Sequence, residues 1–278
     1  MRHYLQCGRF GFSLDKRPLV MGILNVTPDS FSDGGRFLTL EFAVSRAEEM
    51  IAEGVDLIDI GGESSRPGAP ALALAEELQR VMPVLYATRD LGRSLSIDTY
   101  KPQVMREAII AGVDMINDIN AFRAPGAIDA VANSDCGLCV MHMQGTPASM
   151  QQDPSYTDVV SDVIAFLKER IGVMVDAGID PERICLDPGF GFGKTVEHNY
   201  ALLRNIGRIE QECGRPVLAG VSRKSMIGAV TGKPVEKRLA GNLAGALAAI
   251  AHGARIVRVH DVVETVDAVK VWQAATAT

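Results

Sequence analysis

The sequence predicts an α/β fold, a single (β/α)8 TIM barrel with a short N-terminal β-hairpin, from three observations. Eight short runs of apolar and β-branched residues alternate with longer amphipathic stretches along the chain. No linker and no shift in composition divides the 278 residues, a length that suits one such barrel. Each apolar run ends, on its C-terminal side, in a polar or charged residue, and in this fold those ends converge on one face. An open doubly wound sheet fits less well, because eight units without a boundary argue for closure.

Taken in order, residues 4–14 alternate like a hairpin, and residues 1–18 are expected to cap the bottom of a single domain spanning 1–278. Strands are expected at 19–25, 55–60, 95–98, 114–117, 138–141, 184–187, 217–221 and 256–260. Their nearly continuous apolar character is that of parallel strands buried on both faces. Helical patterns occupy 41–53, 75–90, 102–111, 126–133, 157–177, 196–213, 235–252 and 262–275. Gly54, Gly92, Gly112, Gly178, Gly214 and Gly253 stand where a residue past a helix C-terminus turns left-handed.

Composition narrows the function. Hydrophobic residues at 47% and charged residues at 22% supply a normal core, and 27 Gly plus 13 Pro are too few for low complexity. A net charge of −6 without a basic run carries no nucleic-acid footprint. The first twenty residues hold Arg2, Arg9, Asp15, Lys16 and Arg17 with no apolar segment between them, so no export signal is expected. The charge-free stretch 239–251 is too short to span a bilayer, which leaves a cytoplasmic protein as the expectation. Five cysteines, an odd number, are expected as reduced thiols. Cys136 and Cys139 are three apart on a strand pattern and face opposite ways, which argues against a redox or zinc pair.

The polar strand ends are Asn25, Asp59 with Glu63, Asp98, Asn117, His142, Asp187, Ser222 with Lys224, and Arg258 with His260. Eight such ends on one rim mark an active-site mouth. Residues 22–35 and 61–68 form unusually long Gly- and Pro-bearing loops after the first two strands, as expected of segments that close over a substrate. The stretch 187–195 (DPGFGFGKT) is not a Walker loop, since Pro188 stands where the first glycine is required; Asp187 and a turn that brings backbone close to a flat ligand is the better reading. In 220–225, Lys224 suits either a Schiff base or a donor to an anion or carbonyl. Arg258 and His260 share one face of the last strand and read as an anion clamp. The rim cations Arg66, Lys224, Arg258 and His260 with the carboxylates Asp98 and Asp187 suit a ligand with a phosphate end and an amidine-like heterocycle. Asn117 can donate and accept at that heterocycle, and Asn25 could help phosphate oxygens and water to hold Mg²⁺.

Eight segments together resemble the dihydropteroate synthases: 21–35 (MGILNVTPDSFSDGG), 59–68 (DIGGESSRPG), 96–99 (SIDT), 116–119 (INDI), 141–145 (MHMQG), 186–194 (LDPGFGFGK), 222–225 (SRKS) and 258–261 (RVHD). The resemblance covers essentially the whole chain. It implies condensation of 6-hydroxymethyl-7,8-dihydropterin pyrophosphate with 4-aminobenzoate to 7,8-dihydropteroate and pyrophosphate, in folate biosynthesis, by an SN1-like displacement. It also implies a homodimer, Mg²⁺ as cofactor and sensitivity to sulfonamides. By the same resemblance Asp98, Asn117, Asp187 and Lys224 hold the pterin, with Met141, Phe192 and Gly220 as its walls. Asn25 is the Mg²⁺-associated residue, and Arg258 and His260 clamp the pyrophosphate. Phe31, Asp33, Ser65, Arg66 and Pro67 enclose the aminobenzoate, whose carboxylate meets Ser222. Asp98, Lys224, Arg258 and His260 are the expected catalytic residues. Ser65 departs from the commoner threonine, losing a methyl and some χ1 stiffness, so altered affinity for aminobenzoate or sulfonamide is expected. The alternatives are a Schiff-base aldolase using Lys224, a methyl-transfer relative with the same pterin pocket, and a non-catalytic pterin-binding homologue.

Overall fold

The computed structural model describes residues 3–26, 36–64, 68–69, 71–146 and 149–276. Strands β1 (Tyr4–Cys7) and β2 (Phe10–Ser13) pair antiparallel as a hairpin. Eight parallel strands follow: β3 (Leu19–Asn25), β4 (Leu57–Gly61), β5 (Ser94–Asp98), β6 (Met115–Asp118), β7 (Gly137–Met141), β8 (Ile184–Asp187), β9 (Leu218–Ala219) and β10 (Ile256–Val259). They hydrogen-bond in the order β8-β7-β6-β5-β4-β3-β10-β9, and a bridge between Leu186 and Val217 joins the two ends into a ring. Around it run α1 (Arg36–Glu53), α2 (Leu74–Thr88), α3 (Pro102–Ile110), α4 (Ala127–Val131) and α5 (Val159–Asp176). They are followed by α6 (Val196–Arg204), α7 (Ile206–Cys213), α8 (Ser225–Thr231), α9 (Leu239–Ala251) and α10 (Val262–Thr276).

Period-two alternation sends successive strand residues to opposite faces, so two cores form. Outward residues such as Val20, Ile58, Ile97, Ile116 and Leu138 pack beneath helix residues including Ala47, Val81, Val84 and Met105. Inward residues at the N-terminal ends fill the barrel: Met21, Leu57, Met115, Cys139, Cys185, Leu218 and Ile256 meet Leu5, Cys7 and Leu14 from the hairpin side. Arg9 ties the hairpin to buried Asp114, Nε to Oδ1 at 2.9 Å and Nη2 to Oδ2 at 2.8 Å. Gly137 permits this close seat, because a Cβ there would lie 2.6 Å from the Cys7 sulfur. Cys136 belongs to the outer core and Cys139 to the inner one, the opposite facing their spacing implied.

Two expected elements change most in the structure, and one helix was not expected. The stretch 196–213 divides at Asn205, whose backbone leaves helical geometry (φ −112°, ψ 18°) while its Nδ2 donates to Ala201 O at 2.8 Å and closes α6. The strand expected at 217–221 is reduced to β9, because the chain turns at Val221, whose carbonyl accepts from Lys224 N, and Arg223 takes φ 59°. Helix α8 had no counterpart in the sequence reading: it buries Met226 and Ile227, too few residues to show a period, and ends on left-handed Gly232.

Candidate active site

The C-terminal strand ends carry side chains two residues beyond the apolar plug: Asp59 above Leu57, Asn117 above Met115, Asp187 above Cys185 and Arg258 above Ile256. Arg258 reaches across the barrel, giving Nε to Asp59 Oδ2 at 2.6 Å and Nη2 to Asp98 Oδ2 at 2.8 Å. The same Asp59 oxygen accepts from Asn117 Nδ2 at 3.0 Å. Asp59 is fully buried, and its Oδ1, like the Ser96 hydroxyl in register with it on β5, has no partner among the described residues.

Beside this fork, Asp187 Oδ1 accepts from Gly189 N at 2.7 Å at the start of the glycine-rich turn. Lys224 Nζ donates to Phe190 O at 2.6 Å and lies 4.1 Å from the Phe192 ring centroid, over an electron-rich face. Gly189 (φ 73°) lets the turn lie flat: a Cβ there would be 1.8 Å from His142 O. Across the mouth, Ser222 Oγ and His260 Nδ1 are 3.1 Å apart. Asn242 on α9 receives Arg223 N and donates to Asp261, which holds the turns after β9 and β10 together. Met141, Ile119, Met143, Met150 and Phe192 form an apolar wall.

Burial disfavours every charge here. It raises Asp98 despite Arg258 alongside, with Asp59 adding repulsion, and it raises Asp187 despite the Gly189 amide and Lys224. It lowers Lys224 to about 8, with Asp187 partly offsetting it, and lowers His260 to about 3 with help from Arg223. Burial also opposes the Arg258 charge, but Asp59 and Asp98 outweigh it, and that guanidinium is driven upward. The result is a buried rim of carboxylates matched to N–H groups and cationic character, with a firmly charged guanidinium at its centre.

Asp98, Asn117, Met141, Asp187, Phe192, Gly220, Ser222, Lys224, Arg258 and His260 all meet on this rim. Gly220 lies between Asp187 and Arg258, where a Cβ would make ordinary contact 3.8 Å from Asp187 Oδ2 and 3.9 Å from Arg258 Cβ. Asn25 is at the end of β3, its Oδ1 3.5 Å from where a Gly61 Cβ would be. Phe31, Asp33, Ser65, Arg66 and Pro67 lie outside the described residues. Among those described, no three His, Cys, Asp or Glu side chains gather in a metal-binding group.

Two arrangements escaped the sequence reading. Asp59, noted there only as a polar strand end, is the shared acceptor of Arg258 and Asn117; its place two residues beyond Leu57 on a buried strand was the available signal. Beside Asp98, Lys101 joins Glu63 and buried Glu77, while Tyr100 OH donates to Glu63 Oε1 at 2.9 Å and Thr99 Oγ1 to Glu77 Oε1 at 2.6 Å. Glu63, Glu77, Asp98, Thr99 and Tyr100 line a water-sized pocket of about 20 Å³. Glu77 comes from a helix, and its period alone did not mark it as a rim residue.

Residues 21–260 match the family model described as pterin binding enzyme. The chain is 52% identical over 258 residues to the dihydropteroate synthase of Haemophilus influenzae, covering 92% of this chain and 94% of that relative. Among solved structures, Burkholderia cenocepacia dihydropteroate synthase complexed with 7,8-dihydropteroate superposes with a TM-score of 0.91 at 55% identity, covering 99% of this chain and 97% of that one. Xanthomonas albilineans dihydropteroate synthase with 4-aminobenzoic acid gives 0.93 at 50% identity, with both chains fully covered.

Proposed function

The chain belongs to the family of pterin-binding enzymes, and from that premise we infer how its rim performs the dihydropteroate synthase reaction. The reaction is a transfer: the dihydropterin methylene passes from pyrophosphate to the amine of 4-aminobenzoate. The observation that carries the assignment of roles is the Arg258 fork between Asp59 and Asp98, with Asn117 on the same Asp59 oxygen. Asp187 and Asp98 can accept from the amino-pyrimidinone edge of a pterin, Asn117 can do both, and Lys224 supplies a donor. Phe192 and Met141 cover the ring faces.

Ionisation of the C–O bond to pyrophosphate leaves a cation conjugated with the ring, and the rim carboxylates Asp59, Asp98 and Asp187 favour it. Arg258 and His260 receive the departing anion, Arg258 as a charge and His260 as a neutral donor. The amine of 4-aminobenzoate then attacks the methylene and passes its proton to the released pyrophosphate, its carboxylate anchored near Ser222. Phe31, Asp33, Ser65, Arg66 and Pro67 are assigned to its enclosure. No covalent enzyme intermediate is needed.

Asn25 offers one amide oxygen at the mouth, a donor that suits Mg²⁺ when phosphate oxygens and water complete the shell. When bound, such an ion neutralises charge on the leaving group. The whole chain is assigned to one domain, with the N-terminal hairpin as its cap. Helices α9 and α10 expose Leu239, Val263 and Val271, which supports a homodimer, and free thiols suit a reducing cytoplasm.

The test is pyrophosphate release from the dihydropterin pyrophosphate with Mg²⁺, with and without 4-aminobenzoate. Release that rises with the amine and matches dihydropteroate one to one is expected. Tight pterin binding without turnover would instead favour a binding module or a methyl-transfer relative.

A further inference from the structure

Lys194 closes the glycine-rich turn and is 3% exposed, yet no carboxylate among the described residues makes an ion pair with it. Its Nζ faces three neutral acceptors: His142 Nδ1 at 2.9 Å, Phe192 O at 3.0 Å and His142 O at 3.4 Å. Three acceptors match the three N–H groups of an ammonium, and they require the His142 tautomer with its proton on Nε2. Burying an ammonium against neutral groups opposes folding, and a methionine of similar length would fill the space without that penalty. Burial lowers Lys194 to about 7 and the nearby Asp187 charge offsets this only in part, so the fold alone gives little reason for a lysine here.

The turn it closes does give one. Gly189 and Gly193 press the turn against backbone, since Cβ atoms there would lie 1.8 Å from His142 O and 2.6 Å from Gln144 O. Lys194 returns beneath the turn and ties the Phe192 carbonyl to the residue that follows β7. The two groups that hold Lys224, the Phe190 carbonyl and the Phe192 ring, belong to that same turn. We propose that Lys194 is a positioning residue: by binding Phe192 O and His142 at once, it sets the height at which the turn presents the Lys224 ammonium to the pterin. The proposal rests on the reading of Lys224 as a pterin donor.

The experiment compares the parent protein with Lys194→Met and Lys194→Gln, by steady-state kinetics and thermal unfolding. For Lys194→Met the KM for dihydropterin pyrophosphate should rise about tenfold, with kcat within a few-fold and the unfolding midpoint unchanged or higher. Lys194→Gln, which keeps a donor, should fall between the two. An unchanged KM in Lys194→Met, or a lowered midpoint with kcat falling as much as KM rises, overturns the proposal. If Lys194→Met does not fold, a Lys194→Gln variant with parent KM overturns it equally. An inactive parent would sink the functional reading and this assignment with it, whereas normal parent kinetics beside an unaffected variant would sink the assignment alone.

Discussion

Met115 and Asn117 stand two residues apart on β6 and point into the same barrel, yet they belong to different worlds. Met115 packs in an apolar plug against hairpin residues, while Asn117 is hydrogen-bonded to a buried carboxylate. The same step separates Leu57 from Asp59, Cys185 from Asp187 and Ile256 from Arg258. The floor is satisfied by contact alone, and the rim holds charges that only one another and a ligand can satisfy. Stability and chemistry are thus stacked along the same strands about 7 Å apart, two strand residues at roughly 3.3 Å each.

Substitutions at the two levels should separate these roles. The largest effect is expected for Arg258→Met, which strands Asp59 and Asp98. We expect a loss of about 3–5 kcal/mol of stability and of about 10²–10³ in kcat/KM. Adding Asp59→Asn should return part of the stability and none of the activity; denaturant titration beside steady-state kinetics would read both, and recovered activity would break the division. Leu57→Ala, one step below, should cost about 2–5 kcal/mol by leaving a cavity, while kcat/KM measured well below the melting point stays normal.

A pH series sharpens the contrast further. Lys224 is a base lowered by burial to about 8, so it is charged below that pH and loses its proton as pH rises through it. Pterin affinity should fall by up to about tenfold per unit above that point, and Lys224→Arg should flatten this limb. Asp98, raised by burial to about 7, should take up a proton below that pH and make an acid limb, and Asp187, also raised by burial, should add to it. Calorimetric titration from pH 6 to 9 checks both limbs; Leu57→Ala should leave them in place. The smallest effect is expected for Arg9→Ala: its half-exposed guanidinium pairs with buried Asp114, which keeps the Leu95 amide as a partner, so the loss should be about 1 kcal/mol with kinetics untouched. A change in KM there would show that the hairpin reaches the rim.

The alternation that makes this stacking was legible in the sequence, because every strand carried its polar residue at the same end. Arg258 and His260 could be assigned to one face, and Cys136 and Cys139 to opposite ones, by counting in twos. What could not be counted was pairing across the ring. Asp59 meets Arg258 from 199 positions away, and Lys194 meets His142 from 52. Helix boundaries failed where a single side chain decided them, as Asn205 does by capping its own helix.

The short β9 gives the ring an uneven circumference. On one side it shares register pairs with β10, while towards β8 the sheet closes through the lone Leu186–Val217 bridge. A closed sheet is edgeless only where every neighbour is zipped. Here the zip is thinnest between Asp187 and Lys224, the two groups that face each other across it. Slow hydrogen exchange should therefore be interrupted first at this seam, with the amide of Leu186 opening ahead of those in β3 and β4. A ligand seated between Asp187 and Lys224 would then act as the missing rungs of the ladder, and its binding should slow exchange at Leu186.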